Sequence, residues 1–178
     1  MEFGFLDHRP IIVAIAGSNG AGKTTFYHAH LADTDLRFIN ADDVARELNM
    51  GPYDAAEAAD ALRKALVARS ESFIFETVLS DPVGDKVEFL RDAVTLGYEV
   101  VLIFIRIGDV ETSIQRVSMR VAQGGHDVPD DKLQSRFDRT LNNLQRAIER
   151  LPHVLLFDNS DLSRPFQHVE TYHDGKRV

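Results

Sequence analysis

Gly17-Ser18-Asn19-Gly20-Ala21-Gly22-Lys23-Thr24 is the stretch that decides the fold. It satisfies the phosphate-binding pattern G-x-x-x-x-G-K-[ST] at every position. The residues around it suit the pattern. Ile11-Ile12-Val13-Ala14-Ile15-Ala16 is a short apolar run rich in β-branched side chains, and it predicts a buried strand. Thr24-Thr25-Phe26-Tyr27-His28-Ala29-His30-Leu31 predicts a helix. Glycines let the backbone curl with its N–H groups inward, and the helix that follows aims its N-terminal dipole at the same point. Residues 17–25 are therefore the expected nucleotide contact: Gly17, Ser18, Asn19, Gly20, Ala21, Gly22, Lys23, Thr24 and Thr25. Lys23 would reach the β- and γ-phosphates, and the Thr24 hydroxyl would bind Mg²⁺.

Outward from this loop, strands alternate with helices. Leu36–Asn40, Ser72–Thr77, Tyr98–Ile107 and His153–Asp158 read as further strands. Asp54 is a candidate N-cap for a helix whose apolar face is Ala58, Ala61, Leu62, Ala65 and Leu66. Asp81-Pro82 has the form of a helix start. Asp109 can cap a helix carrying Arg116 and Arg120, and a longer helix through Leu133, Phe137, Leu141, Leu144 and Ile148 follows Gly124-Gly125-His126-Asp127-Val128-Pro129. Such alternation predicts an α/β fold with a parallel sheet of five strands covered on both faces, in three layers. The whole chain, residues 1–178, reads as one domain, with a helical lid over about residues 110–140. The end, Asp174-Gly175-Lys176-Arg177-Val178, reads as a polar tail.

Composition narrows the functional classes. The 178 residues are 44% hydrophobic and 27% charged, ordinary for a globular domain, and the net charge of −8 argues against a broad nucleic-acid or anionic-membrane surface. Cysteine is absent, so disulfides, thiol catalysis and cysteine–zinc sites are excluded. Met1–Pro10 has no apolar signal core and no run is long enough to span a bilayer, so the expectation is a cytoplasmic protein without a membrane partner.

In open parallel sheets, ligands bind beyond the carboxyl ends of the strands. That rule selects the phosphate loop, Asp42, Glu76, the segment after Ile107, and Asn159. Phosphoryl transfer is mostly positioning and charge stabilisation. Asp42 has two readings, a general base for an acceptor hydroxyl or an N-cap for a helix beginning near Val44. Glu76 would hold Mg²⁺ through water or orient the acceptor. Arg116, Arg120 and Arg136 flank the glycine elbow and would bring cations to the transferring phosphoryl group. His126 reads as a loop residue. No Asn-Lys-x-Asp guanine-reading segment is present, which favours ATP over GTP.

Several segments together resemble the zeta-toxin family of P-loop kinases, particularly its short stand-alone members. They are Ala16–Phe26, Phe38-Ile39-Asn40-Ala41-Asp42, Phe75-Glu76-Thr77-Val78-Leu79-Ser80, Gly97–Ile105, Arg116 through Gly124-Gly125-His126-Asp127-Val128-Pro129 to Arg136, and Asp158-Asn159-Ser160. They occur in order across most of the chain. The resemblance implies a P-loop kinase fold with strand order 2-3-1-4-5. It implies an ATP- and Mg²⁺-dependent kinase that phosphorylates the 3′-hydroxyl of the aminosugar in UDP-N-acetylglucosamine. For a toxin of this type, it also implies an antitoxin protein as partner. On this resemblance Lys23 and Thr24 serve phosphates and metal, Asp42 is the catalytic base, and Glu76 and Thr77 face the substrate. Arg116 or Arg120 is one lid arginine. The second has no unambiguous counterpart, its nearest aligned position being His126, with Arg136 as the alternative donor. Two rival classes are a nucleotide-gated binding module and, disfavoured by the acidic balance, a polynucleotide 5′-hydroxyl kinase.

Overall fold

In the computed structural model, which describes residues 4–124 and 128–178, β1 (Ile11–Ala16) is buried along its whole length. Around it the chain builds β2 (Arg37–Ile39), β3 (Phe73–Thr77), β4 (Glu99–Arg106), β5 (His153–Asp158), β6 (Gln167–His173) and β7 (Lys176–Arg177). The helices are α1 (Lys23–His30), α2 (Ala41–Leu48), α3 (Pro52–Ala68), α4 (Asp85–Thr95), α5 (Val110–Ala122) and α6 (Asp130–Arg150). The sheet order is β2-β3-β1-β4-β5-β6-β7, parallel from β2 to β5. The expected order of the five parallel strands is the one observed. One apolar cluster, with Ile12, Ala14, Phe75 and Leu102, packs under α3, α4 and α6. The other, with Val13, Ile15, Phe26 and Ile103, packs under α1. Side chains alternate across each strand, so one apolar run feeds both layers.

The sheet has seven strands rather than five, and the expected polar tail is part of it. β6 and β7 add antiparallel to the β5 edge. Asp174 and Gly175 join them with φ of 47° and 77°, the paired positive values of a tight hairpin turn. Val169 and Tyr172 of β6 rest against the core. Among the described residues no helix is long and apolar enough to cross a membrane.

Two helix readings change. α3 starts at Pro52 with Gly51 as N-cap, so Asp54 lies inside the first turn. Its buried face is Ala55, Ala59, Arg63 and Leu66 rather than the Ala58–Leu66 stripe, because an arginine occupies one of the inward positions. α4 starts at Asp85 rather than at Asp81-Pro82. There the side chain of Asp81 accepts from the Asp85 amide, so the acid caps from four residues upstream.

Candidate functional site

The loop after β1 takes the backbone path that its glycines permit. Gly17 has φ of 149°, and a Cβ placed there would stand 2.4 Å from the Ile105 carbonyl oxygen of β4. No side chain can occupy that space without moving the neighbouring strand. The loop is braced from outside. Ser113 of α5 donates to the Asn19 carbonyl (2.7 Å), and Asn159, just beyond β5, donates to the Ala21 carbonyl (2.8 Å). Asn159 is therefore a strut of the loop in this structure rather than a cleft residue. Ser113 escaped the sequence reading, since a serine within an apolar stripe gives no signal of its own.

Lys23 is buried, and its Nζ donates to the carbonyls of Gly17 (3.1 Å) and Ser18 (3.2 Å). Burial pushes its ammonium below the ordinary lysine value. The Glu76 and Asp42 carboxylates oppose that shift, and Arg120 reinforces it. The Thr24 hydroxyl donates to Glu76 Oε2 at 2.7 Å, joining the start of α1 to the end of β3. These two oxygen donors suit the chemistry of Mg²⁺, which prefers hard oxygen ligands and keeps several waters. Among the described residues no group of three or more acidic or histidine side chains gathers as a metal site.

A cleft of about 520 Å³ opens beside the loop. Asn19, Gly20 and Lys23 line one part of it, and Asp42, Glu76 and Thr77 line another. Arg120 of α5 and Arg136 of α6 complete the wall, so these two helices face the same space as the phosphate loop. α6 is fastened to the β3–α4 connection, with Thr140 donating to the Val78 carbonyl (2.8 Å) and Asn143 to those of Leu79 (2.9 Å) and Asp81 (2.8 Å). That connection leads straight from Glu76 and Thr77, so α6 is mechanically joined to the end of β3.

The competing reading of Asp42 as a helix cap does not hold. Asn40 is the N-cap of α2, and its Oδ1 accepts from the Asp42 amide at 2.8 Å. The cap is thus provided two residues earlier, and Asp42 lies in the first helical turn beside the cleft.

Arg116 departs from its expected place. Its guanidinium donates to the carbonyls of Gly20 (3.4 Å), Asn159 (2.8 Å) and Ser160 (3.1 Å), and it does not line the cleft. It sits one helical turn before Arg120, which does face the cleft, so the two arginines divide into brace and wall. Thr25 is exposed on the outer side of α1. Gly125 and His126 lie outside the described residues. Residues that sequence reasoning missed also line the cleft: Tyr53 and Arg63 of α3, Lys86 of α4 and Lys132 of α6. For Arg63 the usable signal was its spacing, in step with Ala55 and Ala59 on the buried face.

Residues 12–147 match the family model of the AAA domain. An uncharacterised protein of Haemophilus influenzae is 28% identical over 126 residues, covering 68% of this chain and 88% of that protein. Among solved structures, a chain of the AvrRxo1-ORF1:-ORF2 complex with ATP is similar at a TM-score of 0.72 and 17% identity, over 96% of this chain. The present chain spans 60% of that chain's length. A structure of the PezAT chromosomal toxin–antitoxin system of Streptococcus pneumoniae is similar at a TM-score of 0.63 and 16% identity, covering 92% of this chain and 72% of that one. At such identities the structural likenesses speak to fold alone, and the fold is the α/β P-loop kinase fold.

Proposed function

Because the chain belongs to the AAA domain family, with a P-loop kinase fold around its cleft, we propose that it is a phosphotransferase moving the γ-phosphoryl group of ATP to a hydroxyl of a small molecule. The observation that carries this reading is the shared cleft: Lys23, Asp42, Glu76 and Arg120 line one space. In the proposed step the Asp42 carboxylate takes the proton of the acceptor hydroxyl, and the freed oxygen bonds to the γ-phosphorus. The bond from that phosphorus to the β,γ-bridging oxygen breaks, and ADP leaves with the electron pair. Lys23, Arg120 and Arg136 face the charge that builds on the phosphoryl oxygens. Mg²⁺ would be held from Thr24 and Glu76 and would neutralise phosphate charge.

The first acceptor to test is UDP-N-acetylglucosamine, on the resemblance of the loop, the Asp42 segment and the Glu76 segment to zeta toxins. A protein partner belongs to the same proposal, since the PezAT neighbour comes from a toxin–antitoxin system. The test is a mass-spectrometric screen for gain of one phosphate with ATP and Mg²⁺, against UDP-sugars and free nucleosides. A phosphorylated product is expected with wild type and absent with Lys23→Ala. Asp42→Asn should lower turnover by about 10²- to 10⁴-fold while leaving ATP binding intact. Full turnover in Asp42→Asn overturns the assigned base. Nucleotide binding without any phosphorylated acceptor, together with a partner retained only when nucleotide is bound, supports the gated module instead.

A further inference from the structure

The cleft is cationic although the protein is acidic. Lys23, Arg63, Lys86, Arg120, Lys132 and Arg136 line it, against the carboxylates of Asp42 and Glu76. The loop and lid account for four of the six, where nucleotide phosphates would lie. Arg63 and Lys86 come from elsewhere, from α3 and α4. They meet at Asp60, to which Arg63 (2.6 Å), Lys86 (2.8 Å) and Lys64 (3.0 Å) all donate. One carboxylate facing three cations leaves a local excess of positive charge.

Arg63 is the unusual member. Its side chain is 6% exposed, its guanidinium lies 4.8 Å from the centroid of the Phe75 ring, and its buried Nε has no hydrogen-bond partner among the described residues. A buried arginine with an unpaired N–H is costly unless another group completes it. Phe75 directly precedes Glu76, so this cation is fixed to the strand that ends in the cleft. Beside it, Ala56 and Ala59 keep the wall low, with Tyr53 at the rim.

We infer that the phosphoryl acceptor is itself an anion, and that its phosphate or carboxylate group is held by Arg63 and Lys86 while its hydroxyl faces Asp42. The inference rests on the phosphotransfer reading of this cleft and adds the residues that hold the acceptor's charged group. Arg63 supplies directed N–H donors suited to planar or tetrahedral oxyanions, and Lys86 adds an ammonium charge from α4.

The test uses the full chain with Mg²⁺ and a non-hydrolysable ATP analogue at saturation, so that the phosphate loop is filled. The Arg63 Nε–H resonance is followed by ¹⁵N NMR and assigned by its loss in Arg63→Lys. The probes are glucose 6-phosphate, gluconate and glucose. Glucose 6-phosphate, gluconate or both are expected to shift the resonance, and glucose is not. A response to only one of the anions identifies the phosphate or the carboxylate as the preferred group. Lys86→Met, which removes the contact to Asp60 at a side chain 27% exposed, should weaken the anion response roughly tenfold or more, with unchanged nucleotide affinity as the sign that the variant is folded. Failure of the analogue to bind overturns the phosphotransfer reading and this inference together. With the analogue bound, the inference alone falls if neither anion moves the resonance, if glucose moves it equally, or if Lys86→Met responds like wild type.

Discussion

Single atoms set the tolerance of this site. A methyl group at residue 17 would meet the Ile105 carbonyl at 2.4 Å, whereas one at residue 175 would meet its nearest neighbour, the Ile148 carbonyl, at 3.6 Å. Both glycines have positive φ, so Gly175→Ala carries backbone strain alone and Gly17→Ala carries strain plus overlap with a fixed strand. Gly175→Ala should cost about 1 kcal/mol and Gly17→Ala about 3 kcal/mol or more, read as denaturation midpoints of the two variants. Equal losses would show that β4 yields to the added methyl. At this scale the sequence was most legible where chemistry demands fixed spacing, as in residues 17–24. It was least legible where one side chain serves another's backbone. Asn159 and Arg116 were readable as polar groups near phosphate, yet their partners are carbonyls of residues up to 138 positions away. No local pattern encodes such a partner. Asn40 shows the opposite case, since a residue ahead of a helix with an amide to accept from is a local signal. It was overshadowed by the acid two places later.

At the scale of elements, α5 and α6 carry the arginines into different environments. Arg120 and Arg136 face the cleft, whereas Arg116 is held by three carbonyls behind the phosphate loop. Arg120→Met or Arg136→Met should therefore lower turnover by roughly 10³-fold, if either acts on the transferring group. Arg116→Met should lower the melting temperature, because it leaves the Asn159 and Ser160 carbonyls without their donor, at about 1–3 kcal/mol. Parallel measurement of kcat and thermal midpoint separates the two roles, and a pure turnover defect in Arg116→Met would return that residue to the phosphates. The face of α3 was misread for a comparable reason. Periodicity counts apolar residues, and Arg63 is buried as a cation against an aromatic ring, so the true stripe was interrupted by the residue type least expected within it.

Across the molecule, charge is distributed against its average. The chain has a net charge of −8, yet the cleft carries more cations than anions. A confined cationic cleft suits the phosphates and charged groups of small molecules but offers no continuous basic track for a strand. Binding of single-stranded DNA or RNA, followed by fluorescence anisotropy across a salt series, is therefore expected to be weak and nearly flat with ionic strength; a steep salt dependence would revive the polynucleotide class. The parallel part of the sheet was legible as a whole because buried strands are continuous apolar runs. The β6–β7 edge was not, because Gln167–His173 is half-exposed and mixed in polarity. Its clearest mark, Asp174-Gly175, lies where a chain end is easily mistaken for loose peptide.

The bracing of the phosphate loop by Asn159 has a consequence for how the protein is made. Every cleft residue lies at or before Arg136, while the strut that holds the Ala21 carbonyl arrives only after β5. During synthesis from the N-terminus, all the cleft-lining residues therefore exist before Asn159 does. The Ala21 end of the loop thus gains its brace only once the residue after β5 has been added, whereas Ser113 can already hold the Asn19 end from within the part of the chain that lines the cleft.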